Sequence, residues 1–163
     1  MTLNKIFKNT LLLISACLLL SACATQKTVT TDSGSQMQGD VYTGTDTVKE
    51  LAPGVPDRVF FATNESILTT ASRETLRKQA EYLRKNSSMN IVLEGHADER
   101  GTREYNLALG ERRANAAKDY LMTYGISASR ISVISYGKER PVDSGSNTLA
   151  WSKNRRSVTV KAN

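Results

Sequence analysis

The amino-acid sequence predicts an α/β fold of two layers, in the order βαβαββ, with two main helices packed on a mixed sheet. Short β-prone runs alternate with two amphipathic helical stretches, the pattern of helices laid on a sheet. The alternation occupies residues 57–163, and the segment before it shows no period of 2 or 3.6.

The chain opens with Lys5 and Lys8, then runs almost unbroken apolar from Thr10 to Leu20, and reaches Leu20-Ser21-Ala22-Cys23. That run is too short to span a bilayer, which needs ~20 apolar residues. A positive start, an apolar middle and small residues at the cut mark residues 1–22 as a secretory signal peptide, removed from the mature protein. Cleavage before a cysteine is the bacterial lipobox pattern and implies lipid on Cys23. Ile14-Ser15-Ala16-Cys17 fits the pattern more loosely, and a cut there leaves only Thr10 to Leu13 as the hydrophobic segment. Two or three acyl chains give a lasting anchor where one holds weakly. The two cysteines therefore imply no disulfide: Cys17 leaves with the signal peptide and Cys23 carries lipid. The fold must rest on its hydrophobic core.

Residues 23–56 are expected to be a lipidated N-terminus and a flexible linker, rich in Thr, Ser, Gly, Gln and Asp. As a coil the linker spans roughly 30 Å, and Pro53-Gly54 and Pro56 mark its end. Arg58 to Phe61 is the first strand. From Ala71 to Lys85, Leu76, Ala80 and Leu83 recur at helical spacing among charged residues, an amphipathic helix stopped by Asn86-Ser87-Ser88. Asn90 to Glu94 reads as a strand and Gly95 to Thr102 as a polar loop. The second helix runs from Arg103 to Tyr124 and ends at Gly125. Ile131 to Tyr136 is a third strand, Val142 to Leu149 a loop, Trp151 to Arg155 a helical turn, and Ser157 to Val160 the last strand.

The formal charge of +6 falls to +4 once Lys5 and Lys8 are removed, because residues 1–22 hold no acid. A mildly basic exported domain suits an anionic partner such as cell-wall polymer or lipid headgroups. Nucleic acid, the other usual partner of a basic chain, is excluded by export.

Asp98 lies just beyond a strand, in a loop closed by Gly101, and Arg113 lies in the second helix. Tyr105, Leu109, Ala116, Tyr120 and Tyr124 step along one helix face with a single gap, which Arg113 fills. A guanidinium on a core-facing stripe is costly unless it is paired or faces a cleft. Its planar fork suits a carboxylate. Two readings follow from the residues: a structural Asp98–Arg113 ion pair holding loop to helix, or a ligand site. Glu99, Arg100, Glu111 and Arg112 offer further partners for the first.

Glu94-Gly95-His96-Ala97-Asp98-Glu99-Arg100-Gly101-Thr102, then Glu104-Tyr105-Asn106, then Leu109-Gly110-Glu111-Arg112-Arg113-Ala114-Asn115, closely resembles the signature of the peptidoglycan-associated lipoproteins, a branch of the OmpA-like domain family. Ser135 to Glu139 and Ser152 to Arg156 match later motifs of the same family, so the resemblance spans about residues 57–160. It implies an OmpA-like domain that binds peptidoglycan without cutting it. In that family the residues matching Asp98 and Arg113 grip diaminopimelate, whose ammonium and carboxylate one acid and one arginine complement. Backbone N–H groups at the end of the first strand, here Phe61 and Ala62, hold a carboxylate. The family has Asp where this chain has Ala62, in Phe61-Ala62-Thr63-Asn64. The resemblance also implies an outer membrane location, since Ala24 rather than Asp follows Cys23, and a TolB partner in a Tol–Pal system acting at division.

His96, the one histidine, has no second ligand type near it in sequence, so no metal site is expected; nor is a cofactor. It is expected as a packed, hydrogen-bonded loop residue. Trp151 could stack on a sugar, although a lone Trp near a helical turn is more often core. Asn154, Arg155 and Arg156 read equally as a basic rim or a solvated cluster. Catalysis is not expected: no Gly-x-Ser-x-Gly elbow occurs, and no acid pair is singled out by spacing for glycoside hydrolysis.

Overall fold

In the computed structural model, residues 37–162 are described. Cys17, Cys23, the signal segment and the first part of the expected linker lie outside them. The elements are β1 (Met37–Gln38), β2 (Val41–Tyr42), β3 (Glu50–Ala52), β4 (Val55–Pro56), β5 (Arg58–Phe60), α1 (Thr70–Lys85), β6 (Ile91–His96), α2 (Arg103–Thr123), a 3-10 turn (Ala128–Arg130), β7 (Ile131–Gly137), α3 (Thr148–Asn154) and β8 (Arg156–Lys161).

The main sheet is mixed, in the order β5-β8-β6-β7. β6 and β7 are parallel, Ile91 beside Ile131 and Leu93 beside Val133, and α2 supplies the crossover a parallel pair requires. β8 enters between β5 and β6 and runs antiparallel to both. β5 and β6 are therefore parallel to each other, and their carboxyl ends lie at the same edge, where β8 begins. That topology places the loops after β5 and β6 beside Arg155 and Arg156.

Alternation decides which side chains each strand turns to the helical layer. Val59 and Phe61, with Ile91 and Leu93, point to the helical layer and join Leu76, Ala80 and Leu83 of α1 and Ala114, Ala117 and Leu121 of α2 in one core. Thr69 and Thr102 cap α1 and α2, their hydroxyls accepting the N–H groups of Ser72 (3.1 Å) and Tyr105 (3.2 Å). The α2 stripe is rotated from the expected one. Its buried residues are Asn106, Leu109, Gly110, Arg113, Ala114, Ala117 and Leu121, while Tyr105 is exposed and Tyr120 and Tyr124 sit at the flank. Small residues win the central positions because the helix lies nearly against the sheet. A Cβ on Gly95 would stand 1.8 Å from the Gly110 carbonyl oxygen, and one on Gly110 would stand 2.4 Å from Ser135 Oγ. α3 begins earlier than expected, at Thr148, because Asn147 caps it by accepting the Ala150 N–H at 3.0 Å.

The expectation of a flexible linker through residue 56 fails for 37–56. β1 pairs with β2 and β3 with β4, each antiparallel. Tyr42 is buried edge-on against Phe60, ring centroids 4.7 Å apart, and Leu51 is also buried. Asp57 ties the second hairpin to the sheet: its carboxylate accepts Lys49 N–H and Arg58 Nε and Nη2, and its carbonyl accepts the Thr159 N–H. Strands of two or three residues are too short to show a period, so only the partner surface on β5 reveals their side-chain pattern. A cavity of about 560 Å³ lies between this segment and the first turn of α1, lined by Tyr42, Val59 and Thr75 among others; Asp98 and Arg113 do not line it.

Gly95→Ala forces backbone apart where neither side is a flexible side chain. Overpacking ordinarily costs about 1–3 kcal/mol, and here the loss is expected at or above the upper end, read as a lower urea midpoint; an unchanged midpoint contradicts the close approach of β6 and α2.

Candidate ligand-binding site

Arg113 is wholly buried in α2 and its guanidinium is held by three carbonyls. Nε donates to Glu65 O at 2.8 Å, Nη1 to His96 O at 2.9 Å and Nη2 to Ala62 O at 3.0 Å, with the Phe61 ring centroid 5.4 Å away. A guanidinium carries five N–H donors, so each terminal nitrogen has one hydrogen beyond these bonds. Burial, then the charge of Arg155, lowers its pKa to about 10 against the opposing pull of Asp98. It stays charged at neutral pH. The carbonyls reach it because Asn64 adopts a left-handed turn, φ 57°, and the Glu65 N–H closes on Ala62 O at 3.2 Å. Asn is among the few residues that take that conformation readily.

Asp98 lies two residues beyond β6 and is also buried. Arg100 grips it with Nε at 3.0 Å, Nη2 at 2.8 Å and its own backbone N–H at 3.1 Å, and Arg155 Nη1 approaches Oδ2 at 3.3 Å. Burial opposes ionisation, but the Arg100 and Arg155 contacts outweigh it and hold the carboxyl below its ordinary pKa. The direct Asp98–Arg113 ion pair of the structural reading does not form: the acid takes Arg100 and Arg155, the arginine takes carbonyls. The two side chains share a site without touching.

Phe61, expected to offer a backbone N–H to ligand, turns its backbone to Arg155 instead. Its N–H donates to Arg155 O at 3.0 Å and its carbonyl accepts Arg155 Nε at 3.1 Å, so its backbone is spent within the fold. Ala62 turns its carbonyl to Arg113, and the next N–H, of Thr63, donates to Asp40 Oδ2 at 2.6 Å. The solvated-cluster reading of residues 154–156 is overturned as well, since all three are buried. Asn154 receives the N–H groups of Val142 and Asp143, and Arg156 donates to Arg140 O and Asn154 O. Arg155, one of the residues weighed as a basic rim, thus stands at the candidate site, beside Thr63 and Asp40, which sequence reasoning missed. Only the β8 insertion and the docked N-terminal hairpin bring them to Asp98, and no local pattern announces either.

Trp151 is half-buried rather than core. Its Nε1 donates to Glu99 Oε1 at 2.8 Å and the Arg100 guanidinium lies over its ring at 4.4 Å. His96 ends β6 instead of lying in the loop, packs 5.6 Å from the Tyr136 ring, and has no hydrogen bond to either ring nitrogen among the described residues. Burial first, then the charges of Arg156, Arg58 and Arg140, lower its pKa to about 3, although Glu94 Oε2 is 3.6 Å from Nε2. Among the described residues no group of three or more His, Cys, Asp and Glu is placed to hold a metal ion.

A purely structural arginine offers a contrast. Arg130 donates to the carbonyls of Met89, Leu83 and Asn86, stapling the turn after α1 with no acid nearby in the bonding. Arg113 uses the same device, but at the strand-end edge where Asp98, Arg100 and Arg155 also meet.

Comparison with known proteins agrees with this architecture. The OmpA family model matches residues 60–155. The peptidoglycan-associated lipoprotein of Mesorhizobium japonicum is 43% identical over 145 residues, 89% of this chain and 86% of that one. The crystal structure of the peptidoglycan-associated lipoprotein from Burkholderia pseudomallei superposes with a TM-score of 0.63 at 35% identity, covering 65% of this chain and 90% of that one. The C-terminal domain of Helicobacter pylori MotB shares the fold alone, with a TM-score of 0.61 at 19% identity over 66% of this chain and 84% of that one. The chain belongs to the OmpA family, in the branch of the peptidoglycan-associated lipoproteins.

The buried neutral His96 sets an acid sensitivity. Its folded pKa lies below the ordinary 6.5, so between about pH 6.5 and 3 the unfolded chain binds the extra proton, and stability is lost as pH falls through that window. By pH 5 the loss is about 2 kcal/mol. Urea unfolding from pH 7 to 5 is expected to show this slope in the wild type and a shallower one in His96→Gln; equal slopes would mean that His96 titrates normally.

Proposed function

We propose that the domain binds peptidoglycan non-covalently by capturing the diaminopimelate head of the stem peptide, and that lipid on Cys23 ties it to the outer membrane. The observation that supports this most is the cluster at the shared carboxyl end of β5 and β6, where Asp98 pairs with Arg100 and Arg155 and the Arg113 guanidinium lies near enough to feel its charge. Ligands in α/β domains commonly bind at such strand ends. An amino-acid head carries an ammonium and a carboxylate on one carbon. Asp98 matches the first once Arg100 swings aside, which its 42% exposed side chain permits, the incoming ammonium replacing the positive charge that Arg100 withdraws from the buried carboxylate. The hydrogens left on Arg113, with Arg155, match the second. Individual contacts of this kind are modest, and many copies of the ligand in a wall raise the effective affinity.

The relatives named peptidoglycan-associated lipoprotein support the same reading, and by family likeness the partner on the periplasmic side is TolB, within a Tol–Pal system that draws the outer membrane inward at division. A wall-binding lipoprotein with no Tol partner is the alternative, separated by TolB pull-down. A hydrolase is disfavoured: Asp98 is held ionised by its arginines, unlike the protonated acid that glycoside cleavage needs.

Co-sedimentation with diaminopimelate-type sacculi tests the binding. Asp98→Ala and Arg113→Ala are expected to lose it with their circular dichroism spectra retained, and Arg113→Lys to weaken it by about tenfold or more, because an ammonium lacks the fork. Wild-type binding by folded variants would make both residues structural. Metabolic labelling with palmitate is expected to vanish in Cys23→Ser; persistence of label would move the anchor to Cys17.

A further inference from the structure

The loop beside Arg113 already holds a carboxylate, and it belongs to the chain itself. Asp40 lies in the turn between β1 and β2, where Gly39 takes a φ of 64°. Its Oδ2 accepts the Thr63 N–H at 2.6 Å, across 23 residues of sequence. Arg155 Nη2 donates to the Asp40 carbonyl and stands 4.0 Å from Oδ2. The same Arg155 reaches Asp98 through Nη1 at 3.3 Å, so one guanidinium links the two acids.

A backbone N–H beside a buried guanidinium is the donor pair that a free carboxylate takes. The Arg155 side chain is 2% exposed, and so is fixed in place, while that of Asp40 is 46% exposed, and so is reachable and displaceable. The hairpin carrying Asp40 is pinned by Tyr42 against Phe60 rather than by the Asp40 contact alone. With Asp40 in place the local charges of Arg100, Arg113 and Arg155 are nearly balanced by Asp98 and Asp40; with it gone, two positive charges are uncompensated. A tethered acid on a short hairpin competes at an effective concentration on the order of millimolar, enough to suppress a modest ligand.

We propose that Thr63 N–H and Arg155 form a carboxylate-binding position which Asp40 fills in the resting chain, and that a stem-peptide carboxylate must displace Asp40 to bind. The identity of the competitor rests on the peptidoglycan reading above. The Asp40 contact is then an internal brake on wall binding, built into the segment that leads to the domain.

The test uses the full mature chain in detergent, titrated calorimetrically with a soluble disaccharide-tripeptide ending in diaminopimelate. Wild type, Asp40→Asn, Asp40→Ala and Arg113→Ala are compared, and the Thr63 amide resonance is followed in each. Both Asp40 variants are expected to bind about three- to tenfold more tightly than wild type, and saturating ligand is expected to move the Thr63 amide in the wild type. Equal or weaker binding by the Asp40 variants, with binding lost in Arg113→Ala, overturns the brake and leaves the wall reading intact. Binding by the Asp40 variants alone supports both. No binding by any form overturns both.

Discussion

Arg113 is the interaction on which the candidate site depends, and it is possible only because Gly95 and Gly110 let α2 settle onto β6 with backbone nearly in contact. From that depth one guanidinium reaches the carbonyls of Ala62 and Glu65 after β5 and of His96 at the end of β6. Two loops far apart in sequence are thereby held to one helix. A buried cation is costly unless its donors are met, and here the backbone meets three of them without an acid. One hydrogen on each terminal nitrogen, and the full charge, lie beyond those three bonds.

Around that centre the structure assembles more positive charge than it neutralises. Asp98 is shared between Arg100, exposed and held over Trp151, and Arg155, buried and tied to both backbone groups of Phe61. The buried arginine fixes the acid, and the exposed one is free to leave it. Arg130 shows that three carbonyls around a guanidinium do not by themselves make a ligand site; the neighbouring acid and the strand-end position distinguish Arg113.

The N-terminal segment changes how the tether is pictured. A chain expected to run free as far as Pro56 instead docks from residue 37 through Tyr42, Leu51, Asp57 and the pair of Asp46 with Lys153 at 2.8 Å. The docked part lies close enough to place Asp40 on the Thr63 N–H. The last stretch of that segment therefore borders the candidate site.

Much of the fold was legible from sequence because α1, α2 and the main strands carry their own periods and caps, and a local pattern suffices to name such elements. Leu76, Ala80 and Leu83 face the core as their spacing required, and Arg113 is buried, though on a stripe rotated from the tyrosine-bearing one whose gap it was expected to fill. The sequence by itself also determined the family, through the run from Glu94 to Asn115. Pairing was decided only in three dimensions. The insertion of β8 between β5 and β6 brings Arg155 to Asp98 across 57 residues, and the docked hairpin brings Asp40 to Thr63. A guanidinium takes whichever acceptors the fold delivers to it. The residue type at position 113 was readable as a buried guanidinium in need of partners, while the partners themselves, three carbonyls rather than one acid, depended on where the backbone passed.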